Sequence, residues 1–72
     1  MQRTSVSSSN VASIGYDAEH QILEVEFLNG SLYQYFNIPQ SLYQGLMSAT
    51  SHGTYLDTYI KKSGFTSRRI RN

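Results

Sequence analysis

The sequence has no cysteine, no tryptophan and a single proline among its 72 residues. Without cysteine it can form no disulfide, no thiol nucleophile and no cysteine-ligated zinc site. It also lacks an apolar run near the roughly 20 residues that a membrane-spanning helix needs, and no signal-peptide pattern opens it. These absences predict one small soluble domain, located in the cytoplasm and not attached to a membrane.

Charge is nearly balanced overall, at +1, but unevenly distributed. All five acidic residues precede residue 58, whereas five of the six basic residues follow residue 60: Lys61, Lys62, Arg68, Arg69 and Arg71. A basic end on a neutral body favours contact with a polyanion. RNA fits better than a membrane, because no amphipathic apolar face accompanies the arginines. The alternative is a solvated, frayed terminus.

Composition divides the chain into three parts. Residues 1–9 are polar and serine-rich, which predicts a flexible lead-in or a weak edge strand. Residues 10–64 carry all the clear periodicity and are predicted to form a single domain. Residues 65–72 make up a basic C-terminal tail.

The clearest strand signal covers residues 22–28, where apolar and acidic residues alternate. A period of two predicts a half-buried strand with Leu23, Val25 and Phe27 inward and with Glu24 and Glu26 in solvent. A shorter strand-like run at residues 11–16 precedes it, and residues 17–20 read as the turn between the two.

Asn29-Gly30 is a strong hairpin signal, because both residues tolerate positive φ. The next strand, residues 31–38, has two open registers. A two-residue turn pairs Leu28 with Ser31 and points Tyr33 and Tyr35 away from the core.

A three-residue loop with Gly30 in the left-handed region instead pairs Phe27 with Ser31, and it turns both tyrosines inward. The two registers differ by one residue, which reverses every side chain. Polar matching favours the second, because Glu24 then faces Gln34 instead of an aromatic ring.

Two helices are predicted after this hairpin. Pro39 suits the first position of a helix, and the apolar stripe of that helix consists of Leu42, Tyr43, Leu46 and Met47. A second stripe consists of Tyr55, Leu56, Tyr59 and Ile60, and Gly64 is the predicted stop. The predicted fold is α+β: a three-stranded antiparallel meander followed by two short helices on one face, in the order βββαα.

No catalytic or metal site is predicted. His20 and His52 lie in separate loops with no ligand spacing around them, and no nucleophile elbow surrounds any serine. Glu24 and Glu26 share one strand face, as solvated strand residues commonly do. We therefore expect a protein that is not an enzyme, needs no cofactor and binds no metal.

The aromatic residues, six tyrosines and three phenylalanines, carry more functional information. Rings that stack on bases beside cations that hold phosphates are typical of single-stranded nucleic-acid binders. Tyr33 and Tyr35 have the spacing of such a platform on one strand face. Their alternative role is core packing or cross-strand pairing.

Several short motifs together resemble a known family. Ser8-Ser9-Asn10-Val11 running into Ile14-Gly15-Tyr16-Asp17 is similar to the opening of the KTSC domain, a module found at the C-terminus of some lysyl-tRNA synthetases. The similarity extends over roughly residues 3 to 62. Its further parts are Leu23-Glu24-Val25-Glu26-Phe27, Gly30, Tyr33-x-Tyr35, Ile38-Pro39, Tyr43 with Leu46, Ser51-His52-Gly53 and Ile60-Lys61.

The resemblance implies a bacterial domain with no established activity, for which RNA binding is the usual suggestion. Its YxY motif matches Tyr33 and Tyr35. The residues predicted to contact RNA, whether tRNA or another single strand, are these two tyrosines with Lys61, Lys62, Arg68, Arg69 and Arg71. The alternative is a protein-interaction module that docks on a larger partner or self-associates through a sheet edge.

Overall fold

The computed structural model describes residues 2–71, which form a five-stranded antiparallel sheet and two helical segments. The strands follow one another across the sheet in chain order: β1 (Arg3–Ser5), β2 (Val11–Asp17), β3 (Ile22–Phe27), β4 (Leu32–Tyr35) and β5 (Ser67–Arg71). Between β4 and β5 lie α1 (Gln40–Ser48) and α2 (His52–Tyr55). The second helix continues as a π-helical turn (Leu56–Ile60) and a 3₁₀ turn (Lys61–Ser63).

The α+β class and the two helices are confirmed, but the predicted number of three strands is wrong. The two additional strands are the edge strands β1 and β5, whose residues are exposed throughout. Neither strand has the apolar alternation that reveals a half-buried strand. Each one is held instead by pairing with its neighbour, β2 or β4. The division into residues 1–9, 10–64 and 65–72 stays a prediction, and Met1 and Asn72 lie outside the described residues.

The β3–β4 hairpin adopts the second of the two predicted registers. Leu23 lies opposite Tyr35, and Val25 lies opposite Tyr33. The Phe27 N–H donates to the Ser31 carbonyl at 2.8 Å, which closes the loop. Gly30 has a φ of 93°, a conformation that glycine adopts without the penalty of a side chain. The tyrosines therefore face the core side of the sheet, as polar matching predicted.

Both helical segments pack on one face of the sheet. From the helical side, Leu46, Leu56 and Ile60 are at most 1% exposed, and they join Leu23 and Val25 in one apolar core. We call this side the inner face and the other side the outer face. The predicted stop is also confirmed, because Gly64 ends the second segment with a φ of 81°.

The outer face carries a polar network where solvated glutamates were expected. Glu24 is only 7% exposed, because the Arg3 guanidinium and the Gln34 amide both donate to its carboxylate. Burial alone would raise the pKa of Glu24, but these two hydrogen bonds outweigh it and hold the pKa below its ordinary value. The expectation that Glu24 lies in solvent is wrong, because its neighbours replace the hydration.

Among residues 2–71, no helix is long and apolar enough to cross a membrane. The same residues contain no group of three or more histidine and acidic side chains that could hold a metal ion.

Candidate functional site: an aromatic cleft with a lysine at its rim

A cleft of about 650 Å³ opens on the inner face, between the β3–β4 hairpin and the end of the second helical segment. We call it the aromatic cleft. Its apolar lining consists of Phe27, Leu28, Tyr33, Tyr35 and Phe65, and its polar lining consists of Ser9, Asn10, Asn29, Ser31, Lys61 and Ser67. The helices cover the neighbouring part of this face, and within the cleft Phe27 and Tyr33 of the sheet stay partly accessible.

The rings on the strands follow from the hairpin register. Because Tyr33 lies opposite Val25 and Tyr35 opposite Leu23, both rings point to the inner face. Phe27 and Tyr33 meet edge to face, with centroids 5.8 Å apart and planes at 85°. Tyr33 and Tyr35 are stacked, with centroids 6.3 Å apart and an interplanar angle of 19°. The two tyrosines therefore lie side by side on one strand face, as their spacing in the sequence indicates.

The two tyrosines differ in accessibility. Tyr35 is 4% exposed and belongs to the core, whereas Tyr33 is only partly buried. Burial and the neighbouring Tyr33 raise the pKa of Tyr35 to about 12, so its hydroxyl stays protonated at neutral pH. The ring surface that a ligand could reach belongs to Tyr33 and Phe27 more than to Tyr35.

Lys61 places a cation on this aromatic wall. Its Nζ lies 5.0 Å from the centroid of the Phe27 ring, within the range of a cation–π contact. The position follows from the local sequence, because Ile60 is anchored in the core at 0% exposed and Lys61 begins the 3₁₀ turn beyond it.

The other predicted basic residues fall into two groups. Arg69 lies opposite Tyr33 in the sheet and so shares the inner face, whereas Arg68 lies opposite Gln34 on the outer face. Lys62 Nζ pairs with Asp57 Oδ2 at 3.5 Å. The structure therefore brings Lys61, Arg69 and Tyr33 to one side and does not bring all five cations together.

Arg71 belongs to the outer-face network. It donates to Glu26 Oε2 at 2.7 Å and to the Gly30 carbonyl at 3.0 Å. Hydrogen bonds from Ser13 and Arg71 lower the pKa of Glu26. Both β3 glutamates thus lie on the face away from the aromatic cleft and are engaged there with arginines.

Sequence reasoning missed the amides at the rim of the cleft. Asn10 immediately precedes β2, and its side chain lies against Gly53 at the start of α2, where an added Cβ would come within 2.3 Å of Asn10 Oδ1. Asn29 lies in the hairpin loop, where its Oδ1 accepts from the Ser31 N–H at 3.0 Å. A signal was available, because Asn10 and Gly53 belong to two of the motifs that carry the family resemblance.

Comparisons with known proteins identify the family to which the chain is related. The family model described as the KTSC domain matches residues 7–65. A crystal structure of a KTSC domain protein from Yersinia pestis superposes with a TM-score of 0.87 at 44% identity, covering 96% of each chain. An uncharacterized protein from Stutzerimonas stutzeri is 41% identical over 70 residues, which is 97% of this chain and 99% of that protein.

A lysine–tRNA ligase from Nostoc punctiforme is 36% identical over 53 residues, which cover 74% of this chain but only 9% of the ligase. The matched region therefore corresponds to a small part of that enzyme. With the family model spanning most of the chain and a close structural neighbour of the same description, the chain belongs to the KTSC domain family.

Proposed function

We propose that the protein is a non-catalytic binding module that holds single-stranded RNA in the aromatic cleft. The observation that carries the proposal is the position of Lys61, whose Nζ lies 5.0 Å from the centroid of an aromatic ring of the cleft. A cation beside accessible rings is the combination that single-strand binders use, since rings stack on bases and cations hold phosphates.

Charge on the inner face supports a polyanionic ligand. Lys61 and Arg69 are exposed, and neither forms an ion pair with a described carboxylate. Asp57 is engaged with Lys62, and the β3 glutamates lie on the outer face. A phosphate backbone that approaches Tyr33 would therefore meet cations without facing a nearby strand carboxylate.

The remaining predicted basic residues would contact RNA outside the cleft. Arg68 and Arg71 follow β5 along its outer face, and Lys62 lies next to Lys61, so a strand that passes over the β5 edge could reach them. The relation to a region of lysine–tRNA ligases supports RNA as the polyanion, because those enzymes are named for a tRNA substrate.

A titration of labelled single-stranded RNA, measured by fluorescence anisotropy at several salt concentrations, tests the proposal. Contacts to two or three phosphates predict a log–log salt slope of roughly −1.4 to −2.1, because each phosphate contact to a single strand contributes about −0.7. Lys61→Gln should weaken binding about threefold to tenfold and make the slope shallower.

Ala18→Glu is the matched control. It changes net charge by the same amount, but it lies in the β2–β3 turn at the end of those strands opposite the cleft. Its affinity should remain close to that of the unchanged protein. Equal losses in the two variants would show that binding follows net charge alone, and no binding at micromolar protein would contradict the proposal outright.

A further inference from the structure

At the rim of the aromatic cleft, the amides of Asn10 and Asn29 each have the side-chain oxygen in a hydrogen bond and the NH₂ group free within the described part of the chain. The orientation of Asn10 follows from its neighbour Ser8. Ser8 Oγ accepts from the backbone N–H of Asn10 at 3.4 Å and of Val11 at 3.3 Å, so its own proton is available to donate. That proton goes to the Asn10 side-chain oxygen at 3.3 Å. The Asn10 NH₂ group is left without a partner among residues 2–71.

The Asn29 side chain is oriented in the same way, with its oxygen hydrogen-bonded and its NH₂ group free, but a different donor holds it. Its Oδ1 accepts from the Ser31 backbone N–H, which can only donate. Its NH₂ group has no hydrogen-bond partner among the described side chains and backbone. Both amides that line the cleft therefore offer donors, and Lys61 adds a third group that only donates.

Three backbone carbonyls of residues that line the cleft already accept a hydrogen bond. The carbonyl of Asn10 accepts from the Leu28 N–H at 2.9 Å, and that of Phe27 accepts from the Gly30 N–H at 2.9 Å. The Ser31 carbonyl accepts from the Phe27 N–H at 2.8 Å. A ligand edge rich in acceptors is therefore matched better than one that carries an amino group.

We infer that the aromatic cleft selects uracil over adenine in single-stranded RNA, with Asn10 and Asn29 as the residues that determine this specificity. Uracil presents two carbonyl oxygens that can accept from the two amide NH₂ groups, whereas adenine presents an exocyclic amine, a donor that those NH₂ groups cannot pair. The inference rests on the proposed function, because it concerns the base held in that same cleft.

Stacking alone predicts no such preference. Base–aromatic stacking tolerates every base, because each base has a π-face. A preference for uracil that depends on the two amides would therefore identify hydrogen bonding as its source.

The experiment compares labelled hexauridylate and hexaadenylate at one salt concentration. The two carry the same number of phosphates, so the electrostatic contribution is matched. We expect the unchanged protein to bind hexauridylate about fivefold more tightly, which corresponds to roughly one net hydrogen bond. Asn10→Asp replaces the donor by an acceptor and should bring the ratio of the two affinities close to one. Asn29→Asp should also bring this ratio closer to one, so it still tests the inference if the Asn10 variant does not fold.

Asn37→Asp is the control for the added charge. Asn37 is exposed beyond β4, has a φ of 62° that aspartate also tolerates, and does not line the cleft. Its uracil-to-adenine ratio should stay unchanged. Equal binding of the two oligonucleotides, or a ratio unaffected by both amide variants, would overturn the inference alone. Binding of neither oligonucleotide would overturn the proposed function together with it.

Discussion

Asn10 and Gly53 are in direct contact: a Cβ added at Gly53 would lie 2.3 Å from Asn10 Oδ1. The contact joins the segment before β2 to the start of α2, so the absence of a side chain at one position sets the place of a cleft residue at the other. Gly53→Ala should displace the Asn10 side chain at little cost in unfolding free energy, because the atoms that an added Cβ meets are the end of an exposed side chain that can rotate away. Hexauridylate affinity should decrease, whereas the midpoint of thermal denaturation should change little.

Gly64→Ala is the comparison for that variant. No atom lies within 4 Å of a Cβ built there, but the φ of 81° would strain an alanine by about 1 kcal/mol. We expect Gly64→Ala to lower stability and to leave RNA affinity unchanged. Unchanged RNA affinity in Gly53→Ala, with Asn10 resonances unmoved in the NMR spectrum, would show that the contact does not position Asn10.

Tyr33 should contribute to binding through its ring. Tyr33→Leu keeps an apolar side chain on the inner face but removes the stacking surface. We expect RNA affinity to fall by about 1–3 kcal/mol in binding free energy, the usual value of one base–aromatic contact.

Tyr43→Leu provides the aromatic control. The Tyr43 ring stacks on Tyr16, with centroids 4.6 Å apart and an interplanar angle of 8°, and it does not line the aromatic cleft. This variant should lose stability and retain RNA affinity. If Tyr43→Leu weakened binding as much as Tyr33→Leu, the ring of Tyr33 would have no special role.

The backbone of β5 should contribute to stability and its arginine side chains to RNA binding, so the two contributions can be measured separately. A chain ending at Phe65 would lose the β4–β5 ladder and the hydrogen bond from the Phe36 N–H to the Thr66 carbonyl. We expect a loss of about 2 kcal/mol or more, since each backbone hydrogen bond contributes about 1 kcal/mol. Urea denaturation measures it.

Replacing Arg68, Arg69 and Arg71 together by serine keeps the strand but removes its charge. Because these side chains are exposed, we expect stability to change by about 1 kcal/mol or less, mostly through loss of the Arg71–Glu26 pair. RNA affinity should fall and its salt slope should become shallower. An unfolded serine variant would mean that the arginines, and not the backbone ladder, hold β5 in place.

Acid should destabilise the fold through Glu24. Its pKa in the folded protein lies below the ordinary value of 4.5, so near pH 4 the unfolded chain binds more protons and stability rises with pH. The contribution is complete above the unfolded pKa and is lost as pH falls through the lower folded pKa. Glu24→Gln should cost about 1–3 kcal/mol at neutral pH, because it removes the charge that holds Arg3.

The same variant should weaken, without abolishing, the loss of stability in acid, because hydrogen bonds also lower the pKa values of Asp17 and Glu26. Unfolding free energy measured by urea titration between pH 3 and pH 7 tests this. Glu19→Gln, in the exposed β2–β3 turn, should reproduce the unchanged protein. A Glu24→Gln curve parallel to that of the unchanged protein would contradict the assignment.

The sequence predicted the centre of the fold better than its edges. Alternation at residues 22–27 and helical spacing around Leu46 and Ile60 mark side chains that the core buries, so hydrophobic period alone locates them. The match of Glu24 with Gln34 favoured the hairpin register that the structure has. The edge strands β1 and β5 bury no side chain, and their formation depends on hydrogen bonds to a neighbour that no local pattern reveals.

The candidate site was predicted in part for a related reason. Basic and aromatic composition identified Lys61, Arg69 and Tyr33, which the structure places on the inner face. Composition could not distinguish them from Arg71 and Lys62. These two residues form ion pairs with Glu26 and Asp57, which lie 45 and 5 positions away in the chain, and composition does not show such pairs. Asn10 was missed because its role depends on a contact with Gly53, across the whole length of the hairpin and α1.

The two edge strands of the sheet also affect how copies of this chain associate at high concentration. An unpaired strand is a template on which another molecule can extend a sheet into an aggregate. Here one margin, β1, offers only three residues, and the other, β5, carries three arginines among its five. The short length of β1 and the repulsion between the arginines of β5 both oppose fibril-like growth. The arginines proposed to attract a polyanion therefore also oppose self-association through the sheet edge.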